Sequence, residues 1–232
     1  MNRLLSANKE RFYDEKEGLL EVALTQADYI TADDSGARHK GKNGYVKHMG
    51  HEIFAWFSST PSKSRLNFLT LINNGESYRL SPDALTYMRE QRLKNVPRTL
   101  LDVLAASPVI ELGNKETSDK HLKQLNISDE RHIRIATEGA LIGSLLHKGN
   151  VEKLAIISDG GGQFAVFQHG LCWVHAERLI HTLLPMNDPH KKAVEGVRAQ
   201  IWTLYRSLKS YKLSPSPQQT EVISNRFDTI FL

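Results

Sequence analysis

Cys172 is the lone cysteine of the 232-residue chain, so no internal disulfide can form, which agrees with a reducing compartment. No apolar run approaches the roughly 18 residues that a membrane span needs. The segment Met1-Asn2-Arg3-Leu4-Leu5 lacks the apolar core of a signal peptide. The expected setting is therefore cytoplasmic, without a membrane partner. Internal repeats and low-complexity tracts are absent as well. The composition, 40% apolar and 24% charged, is that of an ordinary globular protein and excludes a disordered or fibrous chain. At ~150 residues per domain, the length accommodates one large domain or two small ones.

Net charge is small, +4 at pH 7. It permits nucleic-acid binding without requiring it, because the distribution of charge decides. Arg38, His39, Lys40, Lys42, Lys47, His48, Lys63 and Arg65 crowd into one region, downstream of the acidic Asp14, Glu15, Glu17 and Glu21. Such a cluster is either a solvated face or a surface that meets phosphates.

Residues 8–27 read as a helix, with Asn8 as cap and an apolar stripe of Phe12, Leu19, Leu20, Ala23 and Leu24. The β-forming run from Tyr29 to Asp33 predicts a strand ending on a carboxylate, bounded by a turn at Asp34-Ser35-Gly36. Strands over 45–49 and 52–58, separated by Gly50-His51, complete an expected antiparallel meander. Helical patterns follow. One is capped by Ser62 and stops near Gly75. A second opens at Ser81-Pro82, with Leu85, Met88 and Leu93 facing inward. Pro97 interrupts, a pattern over 99–106 resumes, and a helix runs from Ser128-Asp129-Glu130 to His147 and ends at Gly149. Residues 153–158 predict a fourth strand ending on Asp159, followed by Gly160-Gly161-Gly162 and a short helix over 164–167. A fifth strand over 170–173 leads into a helix over 174–184. Two further helices begin near Pro189 and after Pro217.

Two strand ends thus present carboxylates, Asp33 and Asp159. In an α/β domain, strand termini far apart in sequence can meet, and ligands gather at such ends. Paired carboxylates suit a hard cation such as Mg²⁺ or Mn²⁺, and paired metals activate a nucleophile and stabilise the departing oxygen at phosphorus. The plainer reading is that each Asp forms a turn or a cap. His169, Cys172, His175 and His181 would all be needed for a structural zinc site; a buried free cysteine beside Trp173 is the ordinary alternative. A Cys172 nucleophile paired with His175 lacks an evident group to orient the histidine.

Taken together, Ile30-Thr31-Ala32-Asp33-Asp34-Ser35-Gly36-Ala37-Arg38-His39, then Ser62-Lys63-Ser64-Arg65-Leu66-Asn67-Phe68-Leu69, then Ile157-Ser158-Asp159 and Leu171-Cys172-Trp173-Val174-His175-Ala176-Glu177-Arg178, resemble bacterial insertion-sequence transposases, the group named after insertion sequence sixty-six. The likeness runs from about Ala27 to the C-terminus. It implies an α/β, ribonuclease H-like (retroviral-integrase-like) mixed sheet with large α-helical insertions. It also implies an Asp-Asp-Glu triad with Mg²⁺ or Mn²⁺, and phosphoryl transfer at transposon ends. Asp33 matches the first family aspartate, with Asp34 in the position next to it, and Asp159 matches the second. Cys172 and His175 match a Cys-x-x-His element that helps place the DNA end, with Arg178 behind it. The third acid is expected beyond a helical insertion, near an Asn-Asn pair that this chain does not reach; Glu195 and Glu221 fall inside the insertion.

The expected organisation is an N-terminal helix over 1–27, three core strands over 28–60 and a helical segment over 61–150. Two further core strands and a helix over 151–184 follow, then a truncated insertion over 185–232. The function so implied is that of a DNA transposase fragment, of very low activity alone because the third acid is missing, nucleoid-associated and homo-oligomeric when full length. Arg38, Lys40, Lys42 and Arg65 would hold DNA phosphates. Two alternatives stand beside it. One is a catalytically dead remnant that binds DNA or transposase. The other is a different nuclease, whose remaining acid, Glu138 or Glu195, would have to lie near both aspartates.

Overall fold

The computed structural model describes residues 9–74, 77–91, 98–106, 109–149, 151 and 153–232. Asn8, Gly75, Leu93 and Pro97, which carried sequence expectations, lie outside them. The chain forms two compact units, Met1–Gly170 and Leu171–Leu232, and the division falls inside the segment expected over 151–184.

The first unit opens with helix α1 (Lys9–Gln26), then strands β1 (Tyr29–His39), β2 (Lys42–His51) and β3 (Phe54–Thr60). Helix α2 (Arg65–Ile72), strand β4 (Tyr78–Leu80), helices α3 (Pro82–Glu90) and α4 (Arg98–Ala106), strand β5 (Ile110–Leu112) and helices α5 (Lys115–Gln124) and α6 (Glu130–Lys148) follow. Strands β6 (Ala155–Ser158) and β7 (Gln168–Leu171) complete the series. The main sheet has the order β3-β2-β1-β6-β7. β1 pairs antiparallel with β2 and β2 with β3, the expected meander, whereas β1 pairs parallel with β6. The fold is mixed α/β with a mixed sheet.

Four elements depart from expectation in the sheet and its connections; one is β7, which runs from Gln168 to Leu171 and not over 170–173. Asp34-Ser35-Gly36 does not turn; β1 continues through it to His39 and reverses at Lys40-Gly41. Both residues there have left-handed φ, 49° and 77°, the conformation that a two-residue type I′ hairpin demands and that matches strand twist. Gly50-His51 likewise belongs to β2, and the next reversal falls at Glu52-Ile53. Residues 164–167 form no helix: Phe164 ends a turn, residues 166–167 bend, and Phe167 has φ 55°.

Helix starts follow cap chemistry. Ser64, not Ser62, caps α2 by accepting from the Asn67 amide. Ser81 caps α3 ahead of Pro82, and Asp129 caps α6, which ends on left-handed Gly149. The two-stranded β4–β5 sheet and α5 carried no sequence expectation.

Burial alternates along the central strands. Ile30, Ala32, Met49 and Trp56 face inward, where they join Leu20 and Leu24 of α1, Phe68 and Leu69 of α2, and Leu141 and Leu145 of α6 in one core. Each large apolar side chain among them contributes about 1.5–3 kcal/mol on burial. Trp56 Nε1 donates to the Lys16 carbonyl at 3.1 Å, pinning α1 to β3. Of the stripe expected on α1, Phe12 and Leu19 are exposed; only Leu20, Ala23 and Leu24 are buried. The sheet face bearing Thr31 and Asp33 points away from this core.

The second unit is helical, with α7 (Trp173–His181), α8 (Asp188–Leu213) and α9 (Pro217–Phe231). Asn187 and Ser216 cap the last two. Ile201 and Leu204 are buried, and Trp173 meets Tyr205 and Phe231 with ring centroids 6.2 and 6.3 Å apart. Buried Glu177 pairs with Arg198.

Candidate functional site

The parallel register of β1 and β6 advances from Tyr29–Ala155 to Ala32–Ser158. The next residue on each segment is an aspartate, Asp33 and Asp159. Paired strands lie about 4.8 Å apart, and each aspartate follows directly on one member of the last register pair, Ala32–Ser158. Register partners share a face, and the antiparallel pairs Asp33–His48 and His48–Phe57 extend the row across the sheet. His48 and Phe57 are in ring contact at 4.8 Å.

Asp33 is half-buried and Asp159 exposed. Each uses one oxygen locally: Asp33 Oδ1 accepts the Asp34 amide at 2.7 Å, and Asp159 Oδ1 accepts the Gly161 amide at 2.9 Å. The second bond closes the short turn that Asp commonly makes with the amide two residues on. Gly160 supplies the reversal at φ 91°, a conformation that costs glycine little.

Asp34 stands apart from this row. Its side chain turns into the core, where Lys47 Nζ donates to both carboxylate oxygens at 2.8 and 2.9 Å and Gln163 Nε2 donates to Oδ2 at 2.9 Å. Lys63 Nζ donates to its carbonyl at 3.1 Å. A carboxylate already neutralised by a buried ammonium is poorly placed to bind a cation. Of the two neighbouring aspartates, geometry selects Asp33 as the open one.

The loop after β6 is held at several points. Gln163 ties it to β1 through Asp34. Phe164 is buried edge-to-face on Phe68 at 5.1 Å, and Arg65 donates to the Gly162 carbonyl at 2.6 Å. Arg65 was expected to hold DNA. Its guanidinium instead faces the protein, donating also to Tyr87 Oη at 2.9 Å and Gln91 at 3.2 Å. Tyr87 in turn donates to buried Glu138 at 2.6 Å. Burial raises the Tyr87 pKa, and donation to Glu138 raises it further. Glu138 is thus committed to a tyrosine hydroxyl. His169 Nε2 is bonded to Ser158 Oγ at 2.8 Å, which occupies one of the histidines that a zinc site would need.

Arg38, Lys40 and Lys42 are exposed at the end of the β1–β2 hairpin and make no ion pair among the described residues. In the helical unit, Cys172 occupies the cap position of α7 without a capping bond. His175 lies three residues on, its Nδ1 buried and unpartnered, and Arg178 is exposed. Glu195 and Glu221 are exposed on α8 and α9. Among the described residues, no three His, Cys, Asp or Glu side chains stand close enough to hold a metal, so the zinc set finds no support. No helix among them is long and apolar enough to cross a membrane.

Sequence reasoning named His48 only as part of a basic cluster and passed over Gln163 altogether. His48 becomes visible once the Asp33–His48 register is known. The amide of Gln163 gave no signal.

No family model matches the chain, and no solved structure matches it. It is similar to "Uncharacterized protein y4jO" of Sinorhizobium fredii, 36% identical over 224 residues; the match takes in 92% of this chain and 66%, just under two thirds, of that relative's length.

Proposed function

We propose that the first unit belongs to a DNA-processing phosphoryl-transfer domain, of the ribonuclease H-like kind found in insertion-sequence transposases. The observation that carries the reading is the β1–β6 register, whose last pair, Ala32–Ser158, immediately precedes Asp33 and Asp159. The mixed sheet that the reading calls for is present, with an antiparallel meander joined to parallel β6 in the order β3-β2-β1-β6-β7.

The donor set suits a hard dication. Two carboxylates each keep an oxygen clear of any protein hydrogen bond among the described residues, leaving room for water and phosphate oxygens in the remaining coordination positions. Asp33 and Asp159 would hold Mg²⁺ or Mn²⁺, which supplies Lewis-acid activation at a phosphodiester. The chain's own part is positional. Strand pairing holds Asp33, while Gln163, Arg65 and Phe164 fix the loop behind Asp159.

A second reading is favoured by one specific observation: no third acid joins Asp33 and Asp159 among the described residues. It takes the chain as a remnant that binds DNA or transposase without chemistry. The nuclease reading through Glu138 loses ground because that carboxylate is occupied by Tyr87.

Nicking of supercoiled plasmid in Mn²⁺, with wild type, Asp33→Asn and Asp159→Asn, tests the proposal. Metal-dependent nicking that disappears in both variants supports it. Absence of nicking, with Mn²⁺ uptake and DNA binding both indifferent to Asp33→Asn, overturns the catalytic reading in favour of the remnant.

A further inference from the structure

The β1–β2 hairpin outruns the rest of its sheet. β6 pairs with β1 only as far as Ala32, and β3 pairs with β2 only from Tyr45 onward. Beyond those points the hairpin is a two-stranded ribbon, closed by Lys40-Gly41, and residues 35–43 are all exposed. Its basic residues are Arg38, His39, Lys40 and Lys42, and no acidic residue occurs from Ser35 to His51. None of these four makes an ion pair among the described residues. The neighbouring Lys47 is consumed by Asp34, and Lys63 by the Asp34 carbonyl and the Tyr45 ring.

The two ribbon faces differ. Register partners share a face and successive residues alternate. Asp33, Ser35, Ala37 and His39 therefore lie with His48, Val46, Gly44 and Lys42 on the side turned from the core, while Arg38 and Asn43 lie on the other. Between the aspartate level and the His39–Lys42 pair the intervening positions on β1 are small. Six strand residues span about 20 Å, roughly the length of six phosphates of one duplex strand.

We propose that this ribbon end is a docking arm for a nucleic-acid backbone, with Lys42 and His39 gripping phosphates on the face that leads to Asp33 and Asp159. The inference rests on the phosphoryl-transfer reading for its direction, but not for its chemistry. A membrane surface is a poor fit, because residues 35–44 offer no large apolar side chain to bury. Two-stranded ribbons are also an established shape for meeting DNA grooves.

Fluorescence anisotropy of the full chain with a labelled random-sequence duplex, in EDTA and over a salt series, tests it. Removing one side chain that neutralises a phosphate should flatten the slope of log K against log salt by about 0.9. Lys42→Ala should therefore bind roughly 8-fold more weakly at 0.1 M salt, and Lys40→Ala/Lys42→Ala more weakly still. Arg38→Ala, on the far face, should change the slope less. All sites are exposed, so unchanged thermal unfolding checks that each variant is folded. The proposal is overturned if wild type does not bind, if Arg38→Ala costs as much as Lys42→Ala, or if a polyglutamate peptide binds as tightly and is released by the same variants. EDTA separates the two ideas: intact nicking chemistry with unaffected hairpin variants sinks only the arm, and hairpin-dependent binding without Mn²⁺ chemistry sinks only the catalytic reading.

Discussion

Lys47 and Asp34 face each other across the β1–β2 register, with Lys47 Nζ 2.8 Å from Asp34 Oδ1 and no part of the lysine side chain exposed. Removing one member of a buried pair leaves the other charged and unsolvated, at a cost of about 3–5 kcal/mol. Lys47→Met should therefore lose about that much stability in urea unfolding. Asp34→Asn/Lys47→Met should lose less than Lys47→Met alone. Equal losses would mean that the pair does not act as one unit.

The chain Arg65–Tyr87–Glu138 gives a pH signature. Burial and the bond to Glu138 raise the Tyr87 pKa above its unfolded value near 10. The folded state then holds the phenolic proton more tightly than the unfolded chain does. That stabilisation is complete below pH 10 and is lost as pH rises beyond it, through the folded-state pKa. Tyr87→Phe should flatten this alkaline decline and, by leaving Glu138 without its donor, cost about 1–3 kcal/mol at neutral pH. Unfolding midpoints at pH 7, 9 and 11 check both effects.

Gly143 lets α6 pack directly on the backbone of β4. A Cβ there would collide with the Arg79 backbone carbonyl and come within 2.9 Å of Ser81 Oγ. Backbone cannot yield as a flexible side chain does. Gly143→Ala should destabilise by about 1–3 kcal/mol, despite alanine's better helix propensity. Gly196→Ala on α8, where nothing lies within 4 Å, should be neutral or stabilising in the same unfolding assay.

Much of the local architecture was legible because it rests on chemistry within a few residues. Ser81-Pro82, Asp129 and Gly149 bound their helices as their side chains and backbone freedom require, and the apolar run before Asp159 became a strand. What stayed hidden depended on partners far away. Asp34-Ser35-Gly36 has turn composition, yet Lys47 pairs with Asp34 and the hairpin carries the strand through it. Three-residue strands such as β4 and β5 are too short to show a period. Arg65 looked like a phosphate ligand because nothing local reveals Tyr87, Gln91 and Gly162 around it. The aspartates themselves were readable as candidates. That the strands leading into them pair side by side lies in the parallel register of β1 and β6, which no stretch of sequence displays.

The proposed pairing of Asp33 with Asp159 has a direct consequence for cation binding. Titration of Mn²⁺ into the full chain, followed by the electron paramagnetic resonance signal of the free ion, reads it without any nucleic acid. The account predicts saturable uptake by wild type, weakened about 10-fold or more by Asp33→Asn and by Asp159→Asn separately, because two carboxylates share one ion. Uptake unchanged by either substitution, or sensitive to one and indifferent to the other, would contradict a shared site.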